Sequence, residues 1–347
     1  MIEQVNNTPR YLLRNVMEKC ARLNIPTQAI LELTYRCNLH CVHCYVDISE
    51  PDELTADEWK NVIDQLKSAG VISLLLTGGE VLLREDFLDI LSYAKRSKFF
   101  ISLATNGALI DSDMAHDIVK LKPSAISISL YGASAMTHEA VTNVSGSFEK
   151  TLEGIRALVA CGIKPLVQTV VMKSNVNELE HIDRLVTNLG ADINIDTVIS
   201  PTKTGAEFPF RFETTCEELI NCGWLPERFS KLSDDGHGLC KAGKSLLSVA
   251  PNGDVFPCNV FPIKLGNLRQ ANIDKIWHLE PCAELRYLRS MRRADLYACE
   301  KCELSVYCQR CPGIAYIETG RLDGPSTSAC RQAETRRRLY QAAEVRS

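Results

Sequence analysis

From residue 29 to about 199 the chain alternates short apolar runs with longer stretches in which apolar residues recur at helical spacing. The short runs are "AILELTY" (29–35), "VISLLLT" (71–77), "FFISLAT" (99–105), "AISISLY" (125–131), "KPLVQTVVM" (164–172) and "INIDTVI" (193–199). Between them "TADEWKNVIDQLKSAG", "REDFLDILSYAKRS", "DSDMAHDIVKLK", "SFEKTLEGIRALVACG" and "NELEHIDRLVTNLG" read as amphipathic helices, several closed by glycine. Strand–helix alternation predicts right-handed crossovers and a parallel sheet. Six such units predict an α/β fold, a partial (β/α)6 barrel.

The two faces of the strands differ. One alternating set is polar: Glu32 and Thr34, Ser73 and Thr77, Ser102 and Asn106, Ser127 and Ser129, Asn194 and Asp196. The other is mostly Leu and Ile, as at Leu31, Leu33, Leu74, Leu76, Ile126, Ile128, Leu130, Ile193 and Ile195. Successive side chains point to opposite faces, so helices cover the apolar set and the polar set lines the lumen. A closed eight-stranded barrel fills its interior with Val, Ile and Leu. This lumen is patterned for a polar ligand.

The flanks read differently. Residues 1–28 predict an N-terminal capping helix, with Thr8 as N-cap, Pro9 at the first helical position, and Leu12, Leu13, Val16, Met17, Cys20 and Leu23 along one face. Residues 200–239 hold turn residues and little periodicity and read as a bridge. Residues 240–347 form a small cysteine-rich C-terminal domain containing eight of the chain's fifteen cysteines. Within it "SVAPNGDVFPC" predicts a β-hairpin around Asn252-Gly253, and "CEKCELSVYCQRC" is the densest ligand cluster.

Composition narrows the chemistry. A chain of 347 residues, 45% hydrophobic, buries a full core, and its net charge of −4 gives no support for a nucleic-acid surface. The one basic run, "RQAETRRRLYQ", reads as a solvated helix face. The N-terminus carries an early Glu3 and no apolar signal-peptide core, and no run approaches the roughly 18 residues of a membrane span, so a soluble cytoplasmic protein with reduced thiols is expected. Fifteen cysteines, about 4% of the chain, fall below the roughly 8–10% of a disulfide scaffold. Metal binding is the leading reading of "RCNLHCVHC", where Cys37, Cys41 and Cys44 are spaced Cys-x3-Cys-x2-Cys. Three thiolates with no nearby fourth make an incomplete zinc site, whereas an iron–sulfur cluster uses three and leaves one iron open. The second strand ends in "TGGE", Gly78, Gly79 and Glu80, which at the carboxyl end of a barrel strand offers backbone polar groups and one carboxylate to a ligand. An ammonium group suits Glu80.

These motifs together resemble the radical S-adenosylmethionine enzymes: the cysteine loop after strand one, Gly-Gly-Glu after strand two, and "TNG" (105–107) and "SISLYG" (127–132) at later strand ends. The resemblance implies a four-iron four-sulfur cluster on Cys37, Cys41 and Cys44 whose open iron chelates S-adenosylmethionine. One electron then cleaves the sulfonium to give a 5′-deoxyadenosyl radical that abstracts hydrogen from a substrate. It also implies that His43 packs on the adenine, that Gly78, Gly79 and Glu80 meet the methionyl amino group, and that Asn106 and Ser129 contact ribose or carboxylate. Without the flanking cysteines His43 reads as an ordinary surface imidazole. Val81 in place of a usual Pro, and Tyr131 in place of a frequent Asp, depart from the family.

The C-terminal cysteines resemble the SPASM extension, except that two residues separate Cys308 from Cys311 where the pattern has three. The resemblance implies one auxiliary cluster on Cys299, Cys302, Cys308 and Cys330 and a second on Cys240, Cys258 and Cys311. The second has an open iron or is completed by Cys216 or Cys222. Cys20, Cys161 and Cys282 read as small buried hydrophobes.

By the same resemblance, the expected activity is modification of a ribosomally synthesised peptide by cross-linking or oxidation, with a flavodoxin or ferredoxin as electron donor. The chain has no room for the leader-peptide-binding domain of many such maturases, so a separate leader-peptide-binding protein is expected. The alternative is an oxidoreductase acting on a small molecule, in haem-like cofactor or natural-product biosynthesis. Sulfatase maturation fits less well, because Asn259 stands where that group has Asp after the hairpin cysteine. From another class, a zinc-stabilised binding module without catalysis predicts a colourless protein that ignores S-adenosylmethionine.

Overall fold

The computed structural model describes residues 9–46, 52–223 and 240–346. In chain order the elements are α1 (Pro9–Arg22), β1 (Gln28–Thr34), α2 (Ala56–Ser68), β2 (Ser73–Gly78), α3 (Phe87–Arg96), β3 (Phe100–Thr105), α4 (Ser112–Lys120), β4 (Ala125–Ser129), α5 (Ala135–Thr142), α6 (Ser147–Ala160), β5 (Leu166–Val170), α7 (Leu179–Asn188) and β6 (Asp192–Asp196). Then follow α8 (Cys216–Asn221), β7 (Leu246–Val249), β8 (Asp254–Phe256), β9 (Gly266–Asn267), α9 (Ala283–Ser290), α10 (Pro312–Thr319) and α11 (Thr327–Arg346). The six expected strands are all present, β6 ending at Asp196 rather than at residue 199.

One sheet runs β6-β5-β4-β3-β2-β1-β7-β8-β9. Strands β1 to β6 are parallel to their neighbours, as in a partial barrel. β7 lies parallel to β1, with Gln28 opposite Leu246 and Leu31 opposite Val249. The C-terminal half therefore shares the barrel's sheet, a pairing that local sequence pattern does not announce. The expected hairpin is there: Val249 faces Val255 across an antiparallel β7–β8 pair.

Alternation decides the core. Leu31, Leu33, Leu74, Leu76, Ile126, Ile128 and Leu130 are buried beneath the helices, whereas Ser73, Thr77, Ser102, Ser127, Ser129 and Asn194 on the other face are half-buried. Ile193 and Ile195 are only half-buried because β6 is an edge strand. The α2 helix starts on a reciprocal capping box between Thr55 and Glu58.

Four features depart from or extend the sequence reading. The bridge contains α8, started by a capping box of Thr215 and Glu218, and a 3-10 turn at Phe208–Phe212; residues 224–239 lie outside the described residues. α1 begins at Pro9 as expected, but Leu13, Val16 and Leu23 on its apolar face are exposed rather than packed as a cap, and Thr8 lies outside the described residues. Cys20, Cys161 and Cys282 are half-buried rather than fully buried. The basic run of α11 is a paired face: Arg331 bonds Glu213 at 2.9 Å, Arg337 bonds Glu334 at 2.8 Å and Arg338 bonds Glu217 at 2.7 Å. Among the described residues no helix is long and apolar enough to cross a membrane.

Candidate active site

The cysteine loop leaves β1 at the carboxyl end of the sheet, and the turn after β2 forms its seat. Gly79 N donates to Thr34 O at 2.7 Å and Glu80 N donates to Arg36 O at 2.8 Å. A Cβ on Gly78 would lie 2.1 Å from Thr34 O and one on Gly79 2.3 Å from Arg36 O, so glycine is what lets the two backbones meet. Glu80 is fully buried, and its carboxylate accepts from Thr105 Oγ1 at 2.8 and 2.9 Å, Asn106 N at 2.7 Å and Leu82 N at 3.1 Å. Burial raises its pKa against the pull of those donors. Both oxygens are thus engaged within the protein, tying the end of β2 to the end of β3.

Asn106 carries this frame to the thiols. Its Nδ2 donates to Asn38 Oδ1 at 2.7 Å and lies 3.9 Å from Cys37 Sγ, while its Oδ1 accepts from Ala108 N at 2.9 Å. On the other side α5 holds the loop: His40 N donates to Thr142 O and Val42 N to Val141 O, both at 2.9 Å. Burial, and then the neighbouring Cys44 and Cys37, push the Cys41 thiol up to about 12. A cation bound at this loop would offset the cost of ionising buried thiols such as Cys41 and Cys37.

His43 is not a surface imidazole. Burial pushes its pKa down to about 4, its ring meets Tyr131 edge-on at 4.8 Å, and its Nδ1 is buried with no hydrogen-bond partner. A neutral ring with an orphaned nitrogen beside three thiols fits a site whose ligand supplies the missing bond. Tyr131, noted in the sequence only as a departure, is buried against this loop; burial first and then Cys41 raise its pKa, opposed by a hydrogen bond with the Ser129 side chain. Ser129 thereby joins the same cluster of candidate residues.

The auxiliary thiols fall into two groups. Burial and then Cys240 and Cys311 push Cys258 up to about 12, and burial followed by Cys240 raises Cys311. Cys308 is raised by burial and then by Cys330, Cys299 and Cys302, and Cys330 by burial and then by Cys299 and Cys302. Cys258 and Cys311 thus each feel Cys240, and Cys308 and Cys330 each feel Cys299 and Cys302. The Cys216 thiol is directed to Thr335 O at 3.9 Å and the Cys222 thiol donates to Leu219 O at 3.1 Å, so neither contact brings it to the three-thiol group. Among the described residues no three such side chains are gathered closely enough for a single metal ion.

A polar path joins the two regions. Tyr45, next to Cys44, accepts from Asn259 Nδ2 at 2.9 Å, and the Cys258 thiol donates to Asn259 Oδ1 at 3.2 Å. Tyr45 also donates to Glu32 Oε1 at 3.4 Å. Glu32 is fully buried and further accepts from Tyr35 Oη at 3.2 Å, Ser248 Oγ at 3.5 Å and Lys203 Nζ. Burial raises the Glu32 pKa while Lys203 opposes the shift. None of Tyr45, Lys203 or Glu32's bonding partners was a site candidate in the sequence, although Tyr45 directly follows the third cysteine.

Known proteins share these features. The family pattern described as Radical SAM superfamily matches residues 31–186, and that described as Iron-sulfur cluster-binding domain, SPASM, matches residues 240–303. The chain is 30% identical over 334 residues to an AdoMet-dependent heme synthase of Methanosarcina barkeri, covering 86% of this chain and 95% of that protein. It is 29% identical over 329 residues to the mycofactocin maturase MftC of Mycobacterium ulcerans, covering 87% of each. Its fold is similar to that of SuiB from Streptococcus suis, solved with precursor peptide SuiA, at a TM-score of 0.71 and 17% identity, covering 95% of this chain and 82% of that one.

Proposed function

Because this chain belongs to the radical S-adenosylmethionine superfamily and carries a SPASM iron–sulfur domain, we propose that it modifies a ribosomally synthesised peptide by abstracting hydrogen from it. Bound at the barrel mouth, the four-iron cluster and S-adenosylmethionine of this class supply the 5′-deoxyadenosyl radical. Cys37, Cys41 and Cys44 would hold that cluster, and Gly78 and Gly79 fix the loop that presents them. Glu80 and Asn106 brace this seat, and His43 offers a neutral ring and an unsatisfied Nδ1 to the cofactor. Cys299, Cys302, Cys308 and Cys330, and separately Cys240, Cys258 and Cys311, would hold auxiliary clusters.

The observation that carries the reading is the three-thiol loop seated on Gly78, Gly79 and Asn106 and joined through Tyr45 and Asn259 to Cys258. Similarity to a maturase across 87% of both chains supports a peptide substrate. A low-potential donor such as flavodoxin or ferredoxin would deliver the electron, and a separate leader-peptide-binding protein would present the peptide. The second reading, a tetrapyrrole-like small molecule, is favoured by the heme synthase similarity over 95% of that protein.

Anaerobic incubation with a reductant, S-adenosylmethionine and either short synthetic peptides or a porphyrin carboxylate separates the two. Peptide mass change matched by 5′-deoxyadenosine release supports the first. Turnover confined to the porphyrin arm would replace it with the second.

A further inference from the structure

Arg310 lies in the link between Cys308 and Cys311, where the chain's spacing departs from the family pattern, and so between the two groups of auxiliary thiols. It is 7% exposed. Its Nε donates to Gly324 O at 2.9 Å and its Nη2 to the carbonyls of Leu322 and Gly324, while Nη1 is buried with no partner. Among the described residues its acceptors are all backbone carbonyls. Asp323, the carboxylate that acts on it from nearby, is held by Arg321 at 2.8 Å. A desolvated guanidinium with neutral acceptors and one idle N–H group is costly unless an anion completes it. The groups beside it able to carry that charge are Cys299 and Cys308 of the four-thiol group and Cys311 of the three-thiol group.

We propose that Arg310 is a shared counter-charge for the two auxiliary clusters, donating its idle Nη1 to anionic sulfur and raising the reduction potential of both. This rests on the assignment of the seven auxiliary cysteines as cluster ligands. On reduction a cluster gains one electron, no bond breaks, and its negative charge grows by one. A fixed positive charge at close range stabilises the more negative state, and hydrogen bonds to sulfur act in the same direction. Arg310 touches no substrate; it is a positioning residue for charge, held by three carbonyl contacts so that it cannot swing into solvent.

The test uses the full chain reconstituted anaerobically as wild type, Arg310→Gln and Arg310→Lys, with iron counted and each cluster titrated with dithionite under EPR. At equal iron content, Arg310→Gln is expected to lower the reduced-to-oxidised ratio of both auxiliary clusters about tenfold at fixed potential, ~59 mV for a one-electron couple, with Arg310→Lys within about threefold of wild type. Equal iron with unshifted potentials in Arg310→Gln overturns the proposal and leaves the ligand assignment standing. If Arg310→Gln loses auxiliary iron, Arg310→Lys decides: iron retained at wild-type potential supports the counter-charge, and equal depletion overturns it in favour of a structural clamp. A wild-type chain without auxiliary iron overturns the ligand assignment itself, and this proposal with it.

Discussion

The loop of Cys37, Cys41 and Cys44 leans on finished secondary structure, whereas the auxiliary thiols hang largely on turns. Around the first, the ends of β1 and β2 and the last turn of α5 donate or accept backbone hydrogen bonds, the Asn106 side chain reaches in from the end of β3, and the main core packs under the sheet. Around the second, Cys299 N bonds Leu296 O, Cys302 N bonds Cys299 O and Cys308 N bonds Ser305 O in successive short turns. The core there is small, built on Ala242, Phe261, Leu288, Met291, Leu296 and Leu322. One region is preorganised for its metal. The other has a small core of its own, and metal bound there would add folding free energy, as in small cysteine-rich units.

The sharpest way to break this contrast is Gly79→Ala. Its Cβ would fall 2.3 Å from Arg36 O, a backbone atom that cannot yield without moving the loop. The expected loss is the barrel cluster alone, a fall of about four irons per chain and no 5′-deoxyadenosine, with auxiliary iron retained. Wild-type iron content would show that the seat is dispensable.

Acid should act on the preorganised side. His138 in α5 is fully buried, its Nδ1 accepts from Tyr131 N at 3.2 Å, and burial pushes its pKa down to about 4. Unfolded, it titrates near 6.5, so the unfolded chain takes up the proton first and stability falls as pH drops from about 6.5 to about 4. The shift corresponds to roughly 3 kcal/mol. Urea unfolding of the apo-protein across this range should show the fall, and His138→Gln should shrink it to the part contributed by His43, whose pKa burial likewise lowers to about 4.

Glu80→Gln is expected to cost about 2 kcal/mol of stability, because an amide presents Asn106 N and Thr105 Oγ1 with at most one good acceptor. S-adenosylmethionine affinity should fall about tenfold through the displaced loop. Calorimetry showing unchanged affinity would mean that the seat and the cofactor are independent. A smaller effect reads the contrast directly: on metal removal, hydrogen exchange at the amides of Cys299, Cys302 and Cys308 should accelerate about tenfold more than at Gly79 and Glu80.

Much of this was written in short-range pattern. The strands follow from apolar runs and the polar lumen from alternation. What stayed hidden is held by contacts between distant residues. Glu80 suits an ammonium by its charge alone, and its donors within the protein, Thr105 and Asn106, are not legible because they come from the end of the next strand. The Tyr45–Asn259 bond spans 214 residues, and the β1–β7 pairing joins residues as far apart. Arg310 carries no local signal of its carbonyl clamp, which closes on Gly324 and Leu322 further along the chain. The capping box of Thr215 and Glu218 is legible in the sequence, although the surrounding segment lacks periodicity.

The central claim is that the barrel site makes the radical while the auxiliary sites serve the substrate. It is tested most directly by measuring iron, 5′-deoxyadenosine and modified product together in Cys302→Ala and Cys41→Ala under a strong chemical reductant. Cys302→Ala should lose about four irons, still release 5′-deoxyadenosine and form little or no product, while Cys41→Ala should abolish both. Product at the wild-type rate from Cys302→Ala, with its iron reduced by about four, would contradict the account.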